Sequence, residues 1–467
     1  MSIQATLNNA MSGLRVAQSS LQILSLNISN AAVPDYTRKE LVQKSKGGNV
    51  DGLGGVTVAS YERSTDRLTY KALNQSLTES GYSGVGDDYL SRVQGLIGSS
   101  SDSPKLPSLL DRFNSAWRSL EAAPESVVQQ REVISSGQSL AQEIQRLSAG
   151  VEELDRSLRT DTGDAIEQLN LSLETITTLN NQVSNGKANN LPTGDFEDRR
   201  DTELRKVCGL LDITIMERKD GSVALYTPDG YPLLDQLPKT FTYNGATITD
   251  TINSIDVTSY LKGGKIEALL DIRSDTSPAA PSSNATEEVI RKLRSQLDLV
   301  ASSFLTVAAG PPQSFASAYN SGAAQAGELN QNFFTGTDRL DIAINANLMN
   351  GTSVIKKASI AATAAALDAD TRSFTADGLS VPTGGYTNMV SSLVAVWSQS
   401  AGHAKDINDI NKGQSESLEK RYKDSVGVNI DEEVLNMTTL QTAYTASARV
   451  ITAVKQMFDI LESLMSG

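Results

Sequence analysis

The chain has 467 residues, a formal net charge of −14 and an aromatic content of 5%. Its acidic balance argues against nucleic acid or an anionic membrane as a partner, because both attract basic surfaces, and no apolar run reaches the ~18 residues of a membrane-spanning helix. One cysteine and one histidine exclude an intrachain disulfide and a metal site built from several Cys or His ligands.

The first 33 residues carry an unbroken heptad pattern. Apolar or small residues alternate at spacings of four and three, as in the seam of a coiled coil: Ile3, Leu7, Ala10, Leu14, Ala17, Leu21, Leu24, Ile28 and Ala31. The pattern predicts a helix that ends before Pro34. The segment lacks the basic and apolar regions of a secretory signal, so the chain is predicted to be cytosolic or exported without a cleaved signal.

The segments 34–205 and 271–429 are predicted to form a bundle of long helices, because apolar residues recur in them at helical spacing. One stripe, from about 389 to 410, includes His403, which we interpret as a partly buried packing residue. Two segments, 274–283 and 371–385, have the composition of a linker or loop.

The segment 206–270 departs from the helical period and is predicted to be an inserted β-rich domain. Two turn signals, Asp220-Gly221 and Asn244-Gly245, each lie between two strand-like runs, which is typical of tight hairpins.

Two polar features are interpreted as structural. The mixed charges of Glu197, Asp198, Arg199, Arg200 and Asp201 indicate a solvated helix face that pairs with itself, rather than an acid–base site. Cys208 stands beside apolar neighbours and is predicted to be a buried, unreactive thiol. Neither a G-x-S-x-G elbow nor a P-loop occurs, so we expect no catalytic, cofactor or metal site.

The C-terminal segment 430–467 repeats the heptad pattern: Met437, Leu440, Tyr444, Ser447, Ile451, Val454, Phe458, Leu461 and Met465. Asn429 is a candidate N-cap, with Glu432 as its capping-box partner. Every second position of this seam is bulky, whereas the matching positions of the N-terminal seam are mostly small: Met437, Tyr444, Ile451, Phe458 and Met465 against Ile3, Ala10, Ala17, Leu24 and Ala31. Because small and large side chains interdigitate, we predict that 1–33 and 430–467 pair. The alternative is two unrelated surface helices, each packed on its own domain.

Short motifs stand at both ends of the chain and inside it. The N-terminal motifs are Asn27-Ile28-Ser29-Asn30-Ala31 with Pro34, Tyr36 and Arg38, then Gly55-Val56, Val58, Arg63 and Asp66. The internal motifs are Asp198-Arg199-Arg200-Asp201 and Asn332-Phe333-Phe334, and the C-terminal motif includes Asn429, Glu432 and Arg449. Together they resemble the flagellar rod, hook and hook-associated proteins, with the C-terminal motif closest to the hook-associated members. Val33 and Asp35 stand where that family usually has Thr and Gly.

The resemblance implies a structural subunit, not an enzyme, at the junction of flagellar hook and filament and required for filament assembly. It implies export through the flagellum's own apparatus, an extracellular location, and as partners further copies in a ring, the hook protein, a second junction protein and an export chaperone. The expected fold is mainly α, with these domains: 1–33 with 430–467 as a terminal coiled coil, 34–205 with 271–429 as a long-helix bundle, and 206–270 as a β-rich outer domain.

Three alternatives remain open. The chain could be another axial protein, such as a hook protein or a flagellin-like subunit. It could be a coiled-coil adaptor without a flagellar role, although such an adaptor would not need the motif from Asn27 to Arg38. An enzyme such as a fused wall hydrolase would need a catalytic constellation that the sequence does not offer.

Overall fold

The computed structural model describes residues 3–46, 54–98, 105–189, 191–273, 288–308 and 312–465. The predicted linker at 274–283 lies outside these ranges. Within them the helices are α1 (Ile3–Asn30), α2 (Arg67–Ile97), α3 (Lys105–Ala122), α4 (Val127–Ala188), α5 (Gly194–Leu210), α6 (Gly264–Arg273), α7 (Val289–Leu305), α8 (Phe315–Asn320), α9 (Ala346–Met349), α10 (Ile360–Asp368), α11 (Tyr386–Val426) and α12 (Ile430–Met465).

The strands of the described residues form small antiparallel sheets. They are β1 (Lys39–Ser45), β2 (Val56–Arg63), β3 (Thr214–Glu217), β4 (Val223–Tyr226), β5 (Pro232–Leu234), β6 (Phe241–Tyr243), β7 (Ile248–Asp250), β8 (Ile255–Asp256), β9 (Phe334–Thr335), β10 (Ala343–Ile344), β11 (Arg372–Ala376) and β12 (Leu379–Gly384). Strands β3, β4 and β5 form one three-stranded sheet, and β6, β7 and β8 form another. The predicted fold class, mainly α with a β-rich region between helices, is confirmed.

Both predicted hairpin turns are present: Asp220-Gly221 joins β3 to β4, and Asn244-Gly245 joins β6 to β7. Gly221 and Gly245 have φ of +84° and +89°, a backbone region that glycine enters without steric cost. These turns fix the register of each hairpin.

The chain divides into two compact units. Unit 1 is drawn from 1–79, 166–262 and 412–467, and unit 2 from 80–165 and 263–411. Helices α2, α4 and α11 contribute residues to both. Strands β3 to β8 therefore belong to the same unit as the two terminal helices, whereas the sequence-based division gives them a domain of their own.

Two asparagines of α4 attach the small sheets to unit 1. The Asn180 side chain donates to the carbonyl of Val223 at 2.8 Å and accepts from its N–H at 3.0 Å. Asn170 binds both backbone groups of Phe241 in the same way, at 2.8 and 2.9 Å. A carboxamide offers both an acceptor and donors. Each asparagine therefore hydrogen-bonds the backbone N–H and carbonyl of one strand residue, as a neighbouring strand would.

Unit 2 is centred on aromatic side chains from helices α3, α7, α8 and α11, from strand β9 and from the residue before that strand. Neighbouring rings in this cluster lie 5.0–6.4 Å apart, a separation typical of favourable edge and tilted contacts. Its members are Phe113, Trp117, Phe304, Phe315, Tyr319, Phe333, Phe334 and Tyr386. The Asn332-Phe333-Phe334 motif thus supplies two core residues.

Two local predictions in unit 2 are wrong. Residues predicted as a loop at 371–385 include the β11–β12 hairpin, because Gly378, with φ of +72°, permits a tight turn after Asp377. His403 is exposed, because the buried stripe of α11 passes through Leu393, Trp397 and Ala401. The histidine lies outside that stripe.

Candidate functional site

The two terminal helices lie side by side in unit 1. The Cβ that Gly13 lacks would stand 3.6 Å from the Oγ of Ser447. The Asn27 side chain donates to Oε2 of Glu433 at 3.1 Å. Contacts therefore move toward the start of α12 as they move toward the end of α1, so the pair is antiparallel.

The predicted seam residues differ widely in exposure. Leu24 and Val454 are buried, at 8% and 1% exposure. Others are half-buried: Leu7, Leu14, Leu21, Ile28, Met437, Leu440 and Ile451. Tyr444, Phe458 and Leu461 remain 37–44% exposed, and the side chain of Ile3 lies outside those described. The packing role of each seam residue therefore stays a prediction.

Helix α12 also exposes large apolar side chains that the sequence analysis did not single out. Among the described residues of α12, Leu435 is 67% exposed and Ile460 is 59% exposed, with Val434, Val450 and Met457 between 41% and 49%. Large exposed apolar surfaces commonly mark interaction sites. The helix pair thus leaves apolar area of α12 in contact with solvent.

Asn27 organises the loop that follows α1. The residue is fully buried, and its Oδ1 accepts from the Tyr36 hydroxyl at 3.0 Å and from the N–H of Lys39 at 3.1 Å. Its Nδ2 donates to the carbonyl of Lys39 at 2.9 Å and to Glu433. A buried amide needs such partners, so one side chain ties α1 to β1 and to α12.

Arg38 and Glu433 form the second link between loop and helix. The Nε of Arg38 donates to Oε1 of Glu433 at 2.6 Å, and Nη1 reaches Glu40 at 2.7 Å. Partial burial would lower the pKa of Arg38, but Glu433, Glu40 and Glu432 together raise that pKa above its usual value. The backbone N–H of Arg38 also donates to the carbonyl of Val426 at 2.8 Å.

The start of α12 follows the predicted cap. Oδ1 of Asn429 accepts from the N–H groups of Asp431 and Glu432 at 3.1 and 3.4 Å, which satisfies donors at the helix N-terminus. The Glu432 carboxylate pairs with Nη2 of Arg38 at 3.3 Å. Arg449, another residue of this motif, is exposed.

The turn between α1 and β1 departs from family expectation at Asp35. Its φ is +63°, a left-handed conformation that favours glycine. The carboxylate pairs with Arg205 of α5 at 3.0 Å, which holds the turn against that helix. Pro34 before it is exposed, and Asn30 is half-buried.

A buried charge cluster joins β1 and β2 to α5. Asp198 accepts from the Thr37 hydroxyl at 2.6 Å and from Lys39 at 3.1 Å. Arg63 reaches Asp198 at 3.3 Å and Asp201 at 2.6 Å. The cluster raises the pKa of Arg63 although burial opposes this.

The interpretation of Glu197 to Asp201 as a solvated, self-paired helix face is therefore wrong. Asp198, Arg200 and Asp201 are 4–8% exposed. Their counter-charges include Lys39 and Arg63, which lie far away in sequence, so no local pattern indicates this burial.

Cys208 is buried at 2% exposure, as predicted. Burial raises the pKa of its thiol to about 12. The described ranges contain no group of three or more His, Cys, Asp and Glu side chains placed to hold a metal ion. Among the helices of those ranges, none is both long and apolar enough to cross a membrane.

A family model described as flagellar hook-associated protein FlgK helical domain matches residues 90–334, slightly more than half of the chain. The chain belongs to the FlgK family. A second model, of the flagellar basal body rod FlgEFG protein C-terminal region, matches 424–464, which covers most of α12. The recognition of a flagellar hook-associated protein from its motifs is confirmed.

Named relatives agree with this family. The chain is 22% identical over 238 residues to flagellar hook-associated protein 1 of Escherichia coli, covering 50% of this chain and 43% of that protein. It is 25% identical over 250 residues to the protein of the same name from Bacillus subtilis, covering 50% and 48%. The aligned region thus spans less than half of each relative's length.

A solved structure, the flagellar hook junction protein FlgK from Burkholderia pseudomallei, aligns with a TM-score of 0.46 at 17% identity. The alignment covers 57% of this chain and 46% of that one.

Within the FlgK-family chain, the structure brings several signature residues together and leaves others apart. Asn27 and Arg38 contact Glu433 in the first turn of α12, and Tyr36 joins them by donating to Asn27, whereas Arg449 does not share in that network among the described residues. Sequence reasoning missed Thr37 and Lys39 as partners of Asp198. The sequence offered one signal: the motif from Asn27 to Arg38 and the motif from Asp198 to Asp201 both resemble the same family.

Proposed function

We propose that this FlgK-family chain is a structural subunit of the bacterial flagellum that forms the junction between hook and filament and is required for filament assembly. Support comes from the two matched regions, at 90–334 and 424–464, and from the names of the relatives. The aligned regions cover less than half of each of these relatives, so the function and the partners of this chain are stated as proposals.

One observation carries the proposal: α12 keeps several large apolar side chains exposed along its length while it pairs with α1. Leu435, Ile460 and Phe458 are 67%, 59% and 41% exposed. Burying a side chain of this size contributes roughly 1.5–3 kcal/mol, so these solvated side chains favour association. A subunit that packs through its terminal helices against other axial subunits would cover them.

The proposed partners are further copies of the chain in a ring, the hook protein, a second hook–filament junction protein and an export chaperone. The protein would leave the cell through the flagellar export apparatus without a cleaved signal and act outside it. Its role would be structural, without catalysis, cofactor or metal. In the assembled ring, 1–33 with 430–467 would act as the coiled-coil domain, 34–205 with 271–429 as the helical domain, and 206–270 as the outer domain.

Deletion of the gene in a motile strain tests the proposal. We expect intact hooks without filaments and flagellin shed into the medium, with filaments restored when the full chain is supplied again. Loss of hooks as well would favour a hook-protein role. Normal filaments in the deletion strain would contradict the proposal and favour an adaptor outside the flagellum.

A further inference from the structure

A cavity of about 790 Å³ lies within unit 1, between β2, α5, the β3–β4 turn and the end of α4. Eight cationic and five acidic side chains line it, an excess of three positive charges. The whole chain, in contrast, carries a net charge of −14. The net charge of the cavity lining is therefore opposite in sign to the net charge of the whole chain.

Arg200 stands in the wall of this cavity without an ion-pair partner among the described residues. The residue is 4% exposed, and Nη1 donates to Oδ1 of Asn180 at 3.2 Å and to the carbonyl of Gly221 at 2.7 Å. Its Nε has no hydrogen-bond partner among the described residues, and no carboxylate in that part of the chain forms an ion pair with it. Burial lowers the pKa of Arg200, although Asp201 and Glu197 act in the opposite direction.

A second cation converges on the same turn. The Cβ that Gly221 lacks would lie 2.5 Å from Nζ of Lys187, so glycine lets the ammonium group approach the backbone. Arg200 binds the Gly221 carbonyl from its own side. Lys187 has one carboxylate, Glu197 at 3.1 Å, which Arg63 shares at 3.0 Å.

Two exposed lysines complete the lining. Lys44 of β1 and Lys219 of the β3–β4 turn both border the cavity, and within the described ranges neither has an ion-pair partner. A buried charge without a partner is costly, and a bound anion would offset that cost at Arg200.

We propose that this cavity binds an oxyanion, a carboxylate or a phosphate group, with Arg200 as the buried anchor and Lys44, Lys187 and Lys219 around it. Guanidinium groups pair well with both kinds of oxyanion. The anion could come from solution, or from an acidic side chain of a second copy of this strongly acidic chain.

The first test is a titration of the purified full chain with inorganic phosphate at constant ionic strength, in which the unfolding temperature is measured at each phosphate concentration. A ligand of the folded state raises the unfolding temperature saturably. The double variant Lys44→Glu, Lys219→Glu should bind phosphate at least about tenfold more weakly, because both reversals add repulsion at the site. Its matched control, Lys405→Glu with Lys420→Glu, changes the net charge equally at exposed positions outside the cavity and should bind like the natural chain.

Arg200→Gln should abolish the phosphate effect, and if that variant fails to fold, the lysine pair decides. Sedimentation velocity distinguishes the two sources of the anion. If a second copy supplies it, the natural chain self-associates, phosphate reverses the association and the lysine variant stays monomeric. The proposal is overturned if phosphate raises the unfolding temperature of the lysine variant and of its control equally. It is also overturned if phosphate raises neither temperature and the two variants self-associate to the same extent.

Discussion

The Nε of Arg38 lies 2.6 Å from Oε1 of Glu433, a carboxylate that is fully buried although 395 residues separate the two along the chain. Asn27 donates to the other oxygen of the same carboxylate at 3.1 Å. One side chain of α12 therefore accepts from two residues of the N-terminal motif. Motifs at opposite ends of the sequence therefore meet at one carboxylate.

Replacing Glu433 with glutamine should destabilise the junction between the α1–β1 loop and α12. The change removes the charge that Arg38 and Asn27 share, and hydrogen bonds to charged groups contribute roughly 1.5–3 kcal/mol. Glu432→Gln is the matched control, since Glu432 is 54% exposed and also pairs with Arg38; its cost should stay within about 0.5 kcal/mol. Urea unfolding of the two variants measures the difference, and equal costs would contradict this role of Glu433.

Asn180→Ala should detach β4 from α4. The variant leaves the N–H and carbonyl of buried Val223 without their partner, and unsatisfied buried groups cost about 1–3 kcal/mol each. Asn189→Ala is the control, because Asn189 is exposed and its amide donates within its own helix turn, to the carbonyl of Asn185. We expect a clear fall in urea midpoint for Asn180→Ala only; an unchanged midpoint in Asn180→Ala, or an equal fall in both variants, would contradict this specific role of Asn180.

Periodic and turn signals predicted much of the fold, because they act over a few residues. The heptads of α1 and α12 and the glycine turns at Gly221 and Gly245 are of this kind. The strand predictions near 206–270 follow from the same local rules.

The buried charges could not be predicted in this way. Asp198 looks like a solvated residue within α5, and only its contacts with Thr37, Lys39 and Arg63, at least 135 residues away, make it a buried one. Asn170 and Asn180 give no local signal either, since their partners are backbone groups of strands 71 and 43 residues further along the chain.

Asp250 should make the β6–β8 sheet sensitive to acid. Burial alone would raise the pKa of this carboxyl, but hydrogen bonds from Tyr231, the backbone of Ile252 and Lys239 lower it from 3.8 to about 2. A depressed folded-state pKa stabilises the protein above pH 3.8, and the contribution is lost as pH falls from there through 2. The stabilisation at neutral pH is on the order of 2–3 kcal/mol, from about 1.4 kcal/mol per pKa unit.

The measurement is the free energy of unfolding between about pH 5 and about pH 2, which brackets the ordinary Asp pKa by more than one unit on each side. Asp250→Asn should flatten the acid slope in that interval. Asp229→Asn, at an aspartate that is 43% exposed beside Lys262, is the control and should keep the slope. An unchanged slope in Asp250→Asn would rule out this carboxyl as its source.

Leu14→Asp combined with Leu21→Asp should prevent incorporation into flagella, if the proposed function holds. Both leucines are half-buried on α1, and a charge placed there must be desolvated when the helix pair packs. Gln18→Asp with Gln22→Asp introduces the same charges at exposed positions of α1. Electron microscopy of a complemented deletion strain should show filaments with the control pair only; filaments with the leucine variant would count against the seam.

The terminal helices should open readily in the free chain. Helix α12 exposes Leu435, Phe458 and Ile460, so its pairing with α1 buries only part of its apolar surface. Ordering a backbone costs roughly 1–2 kcal/mol per residue, and Gly13 inside α1 adds about 1 kcal/mol relative to alanine. Where few apolar contacts offset that cost, local opening requires little free energy.

Hydrogen exchange of the monomeric chain measures this directly. Amides of α12 should exchange much faster than those of α4, whose Leu147, Leu169 and Leu173 are fully buried. Adding partners that cover α12 should slow its exchange, since association supplies the missing apolar contacts. A monomer whose α12 amides are as strongly protected as those of α4 would show that the helix pair is stable by itself, and the exposed apolar side chains of α12 would then contribute to association without contributing to folding.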